Sequence, residues 1–377
     1  RGPIIRQLLP NWREIPALPA FVGSAAVGAI IVVVAIFFTG DSHDSSYHAA
    51  SGLPYFRGVN YFNDREYELA IEGFTDAIRF HTDDAEAYWY RGRTYGELGQ
   101  HEQAIEDFDR AIGLDPTMAL VYDDRGGAYH ELGQHQRAIQ DFNKAIDLNP
   151  VLALTYDDRG VAYQSLGQYQ NAVEDYEKAG SAYQILGQYQ RAIEEYDKAI
   201  QLDPERGSAY SDRGAAFARL GHNQRAIDDY DQAIELDPAL ALAYDNRGAA
   251  HNILGQYRLA LDDFDKAIQL EPDLGSAFSN RGTAYASLGQ NQQAIDDYDK
   301  AITLDRSVAR TYNNRGGAYF NLGNYQRAID NFDRAILLDP ESGSAYSNRA
   351  IAHTELGRSA NADADRAKAC SLDGQYC

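Results

Sequence analysis

Residues 208–238 read SAYSDRGAAFARLGHNQRAIDDYDQAIELDP, and this stretch decides the fold. Tyr210, Gly214 and Phe217 fall at helical intervals, a spacing that predicts the apolar face of a first helix. Gly221 then interrupts the pattern, since glycine is a poor helix former and a frequent helix end. The stretch therefore opens with a short amphipathic helix that stops at a glycine.

A second helix follows this glycine. Its apolar stripe has the 3.6-residue period of a helix and consists of Ala226, Ile227, Tyr230, Ala233 and Ile234. The Asp-Pro pair after the stripe ends the helix, because proline lacks an amide donor and disfavours helix in the preceding residue. Two helices joined by a glycine turn therefore make up one repeat.

The repeat recurs along the chain, and its turn glycine marks the interval. This glycine occurs at Gly99, Gly133, Gly167, Gly187, Gly221, Gly255, Gly289, Gly323 and Gly357. Arg65 occupies the same place in a divergent first repeat, thirty-four residues before the first of them. One helix pair is too small to bury its own stripe, so neighbouring repeats must stack into a continuous core.

The repeats resemble the tetratricopeptide repeat. That family's pattern of Trp, Leu-Gly, Tyr, Ala, Phe and Pro corresponds here to Tyr210, Arg213-Gly214, Phe217, Ala226, Tyr230 and Pro238. Tyrosine thus replaces tryptophan, and arginine replaces leucine. The resemblance implies an all-α fold, a right-handed superhelical solenoid of antiparallel helix pairs.

The arginine before the first glycine is a recurring departure from the family pattern. It stands at Arg91, Arg125, Arg159, Arg213, Arg247, Arg281, Arg315 and Arg349. Acidic pairs such as Asp228-Asp229 recur in the second helices. We expect the arginines to pair with these carboxylates in a structural ladder, and the alternative is that they read a ligand.

One interval is short, because Gly187 follows Gly167 after only twenty residues. Fourteen residues are missing between Ala179 and Gly180, including the proline stop. The sequence predicts one long helix from near Gln170 to Leu186, which reverses the direction of the helices that follow. This irregularity sets the angle between two binding surfaces, or it reflects an inherited deletion or an error in the sequence.

The chain carries a formal net charge of −22. The first forty residues carry +2, so the remainder carries −24. Nucleic-acid affinity comes largely from cations that neutralise phosphates, so nucleic acid is excluded as an expected partner. Anionic lipid headgroups would also repel the acidic repeats.

Residues 21–39 are uncharged and predict a transmembrane helix, since nineteen residues of helix span roughly 29 Å. A cleaved signal peptide is the alternative, but no small-residue cleavage site follows. The basic flank precedes the span, so we expect a single-pass membrane protein with a cytoplasmic N-terminus and its repeats on the far side, the bacterial periplasm. Small residues suited to helix packing in the membrane are Ser24 with Gly28, and Ala25 with Ala29.

The two cysteines, Cys370 and Cys377, lie at the C-terminus. Gly374 between them allows a left-handed turn that brings the chain back past a helix end. We therefore predict a disulfide between them, in keeping with an oxidising compartment. The alternative is a buried free thiol with a frayed tail.

No nucleotide-binding loop, Gly-x-Ser-x-Gly turn, His-Glu-x-x-His pair or calcium loop occurs. Three of the scattered histidines, His101, His135 and His222, simply follow turn glycines. We therefore expect no catalytic residue, no metal ion and no cofactor, and the chain is predicted not to be an enzyme.

The resemblance implies a protein-binding groove lined by the first helices. Its expected residues are Asp123, Asp157, Ser211, Asp245, Ser279, Asn313 and Ser347. Family members that clamp a peptide's terminal carboxylate use Lys, Arg and Asn in this region, whereas these residues are mostly small, polar or acidic. A cationic or neutral polypeptide is therefore the expected partner.

The chain is thus predicted to have seven segments: an interfacial segment, a transmembrane helix, a linker, a first block of repeats, the irregular shortened repeat, a second block, and a capping helix with a tail. Their bounds are 1–16, 17–39, 40–50, 51–168, 169–187, 188–357 and 358–377. The leading hypothesis is a membrane-anchored scaffold that holds other proteins, integral membrane subunits among them. The alternatives are a self-assembling subunit of a filament or array, and an adaptor arm for a separate enzyme.

Overall fold

A computed structural model describes residues 48–376 of the chain. These residues divide into two compact units, which we call the N-terminal unit, up to Pro272, and the C-terminal unit, from Asp273 onward. Within residues 48–376 every regular element is helical, and no strand is present. The chain therefore has the all-α fold that the sequence predicts.

The helices of the N-terminal unit are short and follow one another closely. They are α1 (His48–Asn63), α2 (Tyr67–Phe80), α3 (Ala85–Glu97), α4 (His101–Leu114), α5 (Ala119–Glu131), α6 (His135–Leu148), α7 (Ala153–Ser165), α8 (Tyr169–Ile185), α9 (Tyr189–Leu202), α10 (Gly207–Arg219), α11 (Asn223–Leu236), α12 (Ala241–Ile253) and α13 (Tyr257–Leu270).

The C-terminal unit continues the same alternation. Its helices are α14 (Gly275–Ser287), α15 (Asn291–Leu304), α16 (Ala309–Asn321), α17 (Tyr325–Leu338), α18 (Gly343–Glu355) and α19 (Ser359–Leu372), followed by the 3₁₀ turn Gly374–Tyr376. We call the helix that precedes each turn glycine a first helix and the one that follows it a second helix. Within each unit a first helix packs on its own second helix, which packs in turn on the next first helix.

The turn inside each repeat needs a residue with a positive φ. Gly221, for example, has a φ of 77°, a left-handed conformation that costs glycine little because it has no Cβ. In the divergent first repeat this conformation is adopted by Arg65, with a φ of 61°. The regular spacing of the turn glycines thus follows from the geometry of one repeated turn.

The core is built from alanines and from one aromatic ring in each second helix except the last. The ring of Phe264 is fully buried and lies directly against Gly248 of the preceding first helix. A Cβ atom at Gly248 would be 2.7 Å from Cε1 of this ring, so the aromatic and the glycine fit only as a pair. This contact explains why a glycine stands in the middle of a helix despite its low helix propensity.

The shortened repeat forms a single helix, as predicted. Helix α8 runs from Tyr169 to Ile185 and packs on α7 as a second helix and on α9 as a first helix. Its buried residues share one stripe and include Ala172, Tyr176, Ala179, Gly180 and Tyr183. Tyr176 fills the aromatic position of both helix types, which lets the two patterns overlap in one helix.

The predicted membrane helix, residues 17–39 with Ser24, Gly28, Ala25 and Ala29, lies outside the described residues. Between His48 and Tyr376, no helix is both long enough and apolar enough to cross a membrane. Helix α1 already begins at His48, inside the segment predicted to be a linker.

The C-terminal helix closes the C-terminal unit. Arg366 takes the place of the second-helix aromatic and donates to Oγ1 of Thr354 at 2.8 Å. The ring of Tyr376 covers Gly343, where a Cβ would be 2.9 Å from its Cε2. Cys370 is disulfide-bonded, and its predicted partner, Cys377, lies outside the described residues.

Candidate protein-binding face

The recurring arginine lies between two second helices. Nε and Nη2 of Arg213 donate to Asp229 at 2.9 and 2.7 Å, and Nη1 donates to Asp197 at 2.5 Å. The hydrogen bonds that Arg213 donates to Asp229 are the main cause that raises the pKa of this arginine above its usual value. The guanidinium also lies over the ring of Tyr210, 5.4 Å from its centroid.

The same forked contact recurs throughout. The pairs with a second-helix aspartate are Arg91–Asp107, Arg125–Asp141, Arg159–Asp175, Arg213–Asp229, Arg247–Asp263, Arg281–Asp297 and Arg349–Asp365. Arg315 instead donates from Nε to the neutral Asn331 at 2.8 Å. These guanidinium groups are engaged between the packed helices of their own unit, an arrangement that suits a structural role and leaves little of them for a ligand.

The shortened repeat lacks this arginine, because Ala179 stands in its place. Glu195, which is 6% exposed, occupies the position of the aspartate that the arginine would bind. Lys198 approaches it instead, with Nζ 3.1 and 3.0 Å from Oε1 and Oε2 of Glu195. The same ammonium lies 2.5 Å from Oδ1 of Asp157 on the first helix α7.

Successive first helices touch one another in each unit, and the side chains along this contact form what we call the first-helix face. The predicted groove residues stand on it, two places before the arginine or its equivalent. The residue immediately before the arginine stands beside them. In the N-terminal unit the residues immediately before the arginine are Asp124, Asp158, Asp212 and Asn246, and in the C-terminal unit they are Asn280, Asn314 and Asn348.

Carboxylates dominate the face of the N-terminal unit. Oδ1 of Asp123 is buried and lies outside hydrogen-bonding geometry, and burial raises the pKa of this carboxyl to about 6 although the nearby Thr155 hydroxyl opposes the shift. Asp158 reaches solvent, but partial burial and the nearby Asp123 and Asp157 raise its pKa to about 7. Burial and Glu177 likewise raise the pKa of Asp212 to about 7.

Asp124 differs from these carboxylates because it has partners. It accepts a hydrogen bond from Nε1 of Trp89 at 2.5 Å and lies 3.6 Å from Nε of Arg93. Burial nevertheless raises its pKa. Of the remaining predicted groove residues in this unit, Asp245 is fully buried, whereas Ser211 is half-buried.

Exposed apolar side chains lie beside the carboxylates. Leu154 is 59% exposed and precedes Asp157 by three residues, so both lie on the same side of α7. Leu120 occupies the equivalent position on α5 and is 44% exposed. The face therefore combines negative charge with accessible hydrophobic surface.

The face of the C-terminal unit is neutral. Oγ of Ser279 lies 3.2 Å from Oγ1 of Thr311, and Nδ2 of Asn348 donates to Oδ1 of Asn313 at 3.0 Å. Ser347 is half-buried on the same face. Amides and hydroxyls thus bond to one another here, where the N-terminal unit has carboxylates.

The sequence prediction included only the first residue of each adjacent pair on this face. It missed Asp124, Asp158 and Asp212, although the doubled aspartate in YDDRG at residues 122–126 and 156–160 signals two adjacent acids on one helix. It also missed Lys198, for which no signal exists, because Lys144 and Lys266 occupy the same position in other second helices.

In the part of the chain that the structure describes, no three or more His, Cys, Asp or Glu side chains are grouped so that they could hold a metal ion. The first-helix face of the N-terminal unit is nevertheless acidic. What it offers is a row of separate carboxylates with apolar side chains between them.

These features define a helical-repeat protein of the kind that binds polypeptides. Family models described as tetratricopeptide or TPR repeats match residues 92–133, 126–167, 180–221, 207–240, 241–274, 282–323 and 309–342. Together the matches span more than half of the chain, which belongs to the tetratricopeptide-repeat family. One match begins at Gly180, directly after the missing residues.

Three solved structures match this chain to different degrees. A chain of the APC/C hetero-tetramer Cut9–Hcn1 is 14% identical, with a TM-score of 0.51, and the match covers 86% of this chain and 94% of that one. YrrB, described as a TPR protein with an unusual peptide-binding site, is 24% identical, with 48% and 92% covered and a TM-score of 0.39. Yeast Tom70 is 16% identical, with 85% and 91% covered and a TM-score of 0.42. A search of curated proteins found no significant match.

Proposed function

We propose that the chain is a protein-interaction scaffold whose N-terminal unit binds a cationic, partly apolar polypeptide segment along the first-helix face. The observation that carries this proposal is the row of carboxylates without counterions. Asp123, Asp158 and Asp212 form no ion pair with any described residue, while the nearby arginines are already bound to second helices. The negative charge of this face is therefore not compensated by ion pairs, so a positively charged group would bind there favourably.

A cationic ligand would relieve the unfavourable electrostatics of this face. Burial and mutual repulsion disfavour the ionised form of these carboxylates, and a nearby positive charge favours it. Complementary charge also steers a partner toward the face and sets its register. Leu120 and Leu154 then contribute apolar contact between the charged positions.

Binding to a defined peptide tests the proposal. The full chain is titrated with an end-blocked, fluorescent peptide of alternating leucine and arginine, and with a peptide in which glutamate replaces arginine. We expect the arginine peptide alone to bind, and a variant with Asp123→Asn and Asp158→Asn to bind it about fivefold more weakly. Added salt should weaken binding, because exposed charges are screened.

The matched control removes two carboxylates elsewhere in the same unit. Asp147 and Asp262 are exposed on second helices and make no ion pair with a described residue, so Asp147→Asn with Asp262→Asn gives the same change in net charge. This control should bind like the unchanged chain. Equal binding of both peptides, or equal weakening in both double variants, would contradict the proposal.

We also propose that residues 17–39 anchor the scaffold in a membrane, with the repeats opposite the N-terminus, as an accessory subunit of a membrane complex. The support is nineteen uncharged residues preceded by a basic segment. After expression in bacteria, the chain should stay with membranes in alkaline carbonate. Protease added outside spheroplasts should digest the repeats. Repeats that are protected from the protease would show that they lie on the cytoplasmic side, opposite to the proposed topology.

A further inference from the structure

We propose that Asp157 and Glu195 form a binding site for one arginine or lysine side chain of the partner, and that Lys198 fills this site until the partner displaces it. The inference rests on the proposed function, because it specifies one contact on the same first-helix face. It follows from the shortened repeat, from the ammonium group seated between the two carboxylates, and from the position of Asp157.

The site exists because one residue of α8 has two structural roles. In the first-helix pattern Ala179 stands where other repeats have the arginine, and in the second-helix pattern it stands where every repeat has a tightly packed alanine. The residue is completely buried, so the alanine role prevails and no guanidinium is present. Glu195 is left with a carboxylate that lacks its usual partner.

The second carboxylate affected by this loss is paired in another way. Glu177 stands where aspartates such as Asp197 receive Nη1 of the next arginine. It binds Nε and Nη2 of Arg206 at 3.1 and 2.8 Å and Oγ of Ser208 at 2.6 Å. Glu177 is therefore satisfied by a forked arginine contact, whereas Glu195 depends on a lysine.

Lys198 is a weaker occupant than an arginine would be. Its ammonium is a point charge on a flexible stem, without the planar fork that binds a carboxylate through two parallel hydrogen bonds. Its side chain is 40% exposed, so solvent screens the ion pairs that it forms. Lys144 occupies the same position on α6 and makes no ion pair with a described residue, so the helix position alone does not create the contact.

The site is open to a partner on the first-helix face. Asp157 retains 20% exposure of its side chain and lies next to Asp158 and three residues after the exposed Leu154. The Lys198 ammonium lies 5.3 Å from the ring centroid of Tyr176, which would also support an incoming cation. A basic side chain of a segment that follows the acidic face would thus reach Asp157 from solvent and compete with Lys198.

Affinity measurements with paired lysine variants test the proposal. In the full chain, Lys198→Met should bind the leucine–arginine peptide about threefold more tightly, because the internal competitor is gone. Lys144→Met removes the same charge from an equivalent helix position and should change the affinity much less. Equal effects of the two variants would overturn the displacement mechanism.

A second measurement uses the unchanged chain and does not depend on how the variants fold. Limited acylation of lysines is followed by peptide mass spectrometry, with and without the leucine–arginine peptide. We expect Lys198 to be acylated several-fold faster once the peptide is bound, while Lys144 keeps its rate. Bound peptide with an unchanged Lys198 rate would refute the displacement alone, whereas absence of peptide binding would refute the proposed function itself.

Discussion

The first helices of the two units share their internal side and differ on their exposed face. On the internal side both carry the glycine that receives an aromatic ring, as at Gly248 with Phe264 and at Gly316 with Phe332. On the first-helix face α7 carries Asp157-Asp158, whereas α16 carries Asn313-Asn314 at the same positions.

The difference shows which residues are constrained by packing and which are free to determine binding. A change at the internal glycine would collide with a buried ring, so both units keep it. A change from aspartate to asparagine alters charge with almost no change in shape, so the stack tolerates it. The N-terminal unit thus presents an acidic face and the C-terminal unit an amide face, and we expect only the acidic one to bind cations.

The largest expected effect concerns the shared core. Phe264 and Phe332 are 0% and 1% exposed, and replacement of either by alanine leaves a cavity in the stack. Each variant should lose about 3–5 kcal/mol of unfolding free energy, measured by urea denaturation. Phe80→Ala is the control, since Phe80 is 66% exposed. A small loss of unfolding free energy for one of the two variants alone would contradict the inference that both units pack their aromatic rings in the same way.

A smaller effect should separate the ionic arginine pairs from the neutral one. Arg213→Ala leaves Asp229, which is 7% exposed, without a counterion and should cost about 3 kcal/mol. Arg315→Ala leaves the neutral Asn331, which keeps its own hydrogen bond to the carbonyl of Arg327, and the solvent-exposed Asp299. It should cost about 1 kcal/mol. Equal losses in denaturation experiments would show that charge does not govern these pairs.

The smallest effect tests the acidic face through pH. The pKa of Asp158 is raised from 3.8 to about 7, so the folded chain holds a proton that the unfolded chain loses above about pH 4. Stability therefore declines as pH rises from about 4 to about 7. Asp158→Asn should make this decline less steep and raise the melting temperature by about 2 °C at pH 8, since screening limits the effect.

The reciprocal change serves as the control for the pH experiment. Asn314→Asp introduces a carboxylate at the matching position of the neutral face. It should lower the melting temperature at pH 8, and the difference should narrow toward pH 5 as the new carboxyl takes up a proton. An increase in the melting temperature of both variants at pH 8 would show that the experiment does not report charge on the first-helix face.

Much of the fold was accessible from the sequence, because repetition multiplies weak signals. A glycine, an alanine, an aromatic residue and a proline at fixed spacing predicted helix pairs, and a single missing segment predicted the long helix α8. The position of Arg213 relative to Asp229 also follows from spacing, since sixteen residues separate members of each pair.

The candidate face was accessible only in part. Neither the raised pKa of Asp158 nor the contact between Lys198 and Asp157 has a local signature, because each depends on side chains from helices that are distant in sequence. Helical periodicity assigns a residue to a side of its own helix. It does not show which residue of another helix forms an ion pair with that residue.

Helix α8 has a further consequence for the cooperativity of unfolding. In a repeat array each repeat opens with a free energy set by its own stability and by the interface with its neighbour. Here the two neighbours share one helix, so neither Tyr176 nor Tyr183 can leave its cluster without disturbing the continuous backbone of both. Residues 153–219 should therefore open as one foldon, with a common amide exchange rate, even where flanking repeats fray singly.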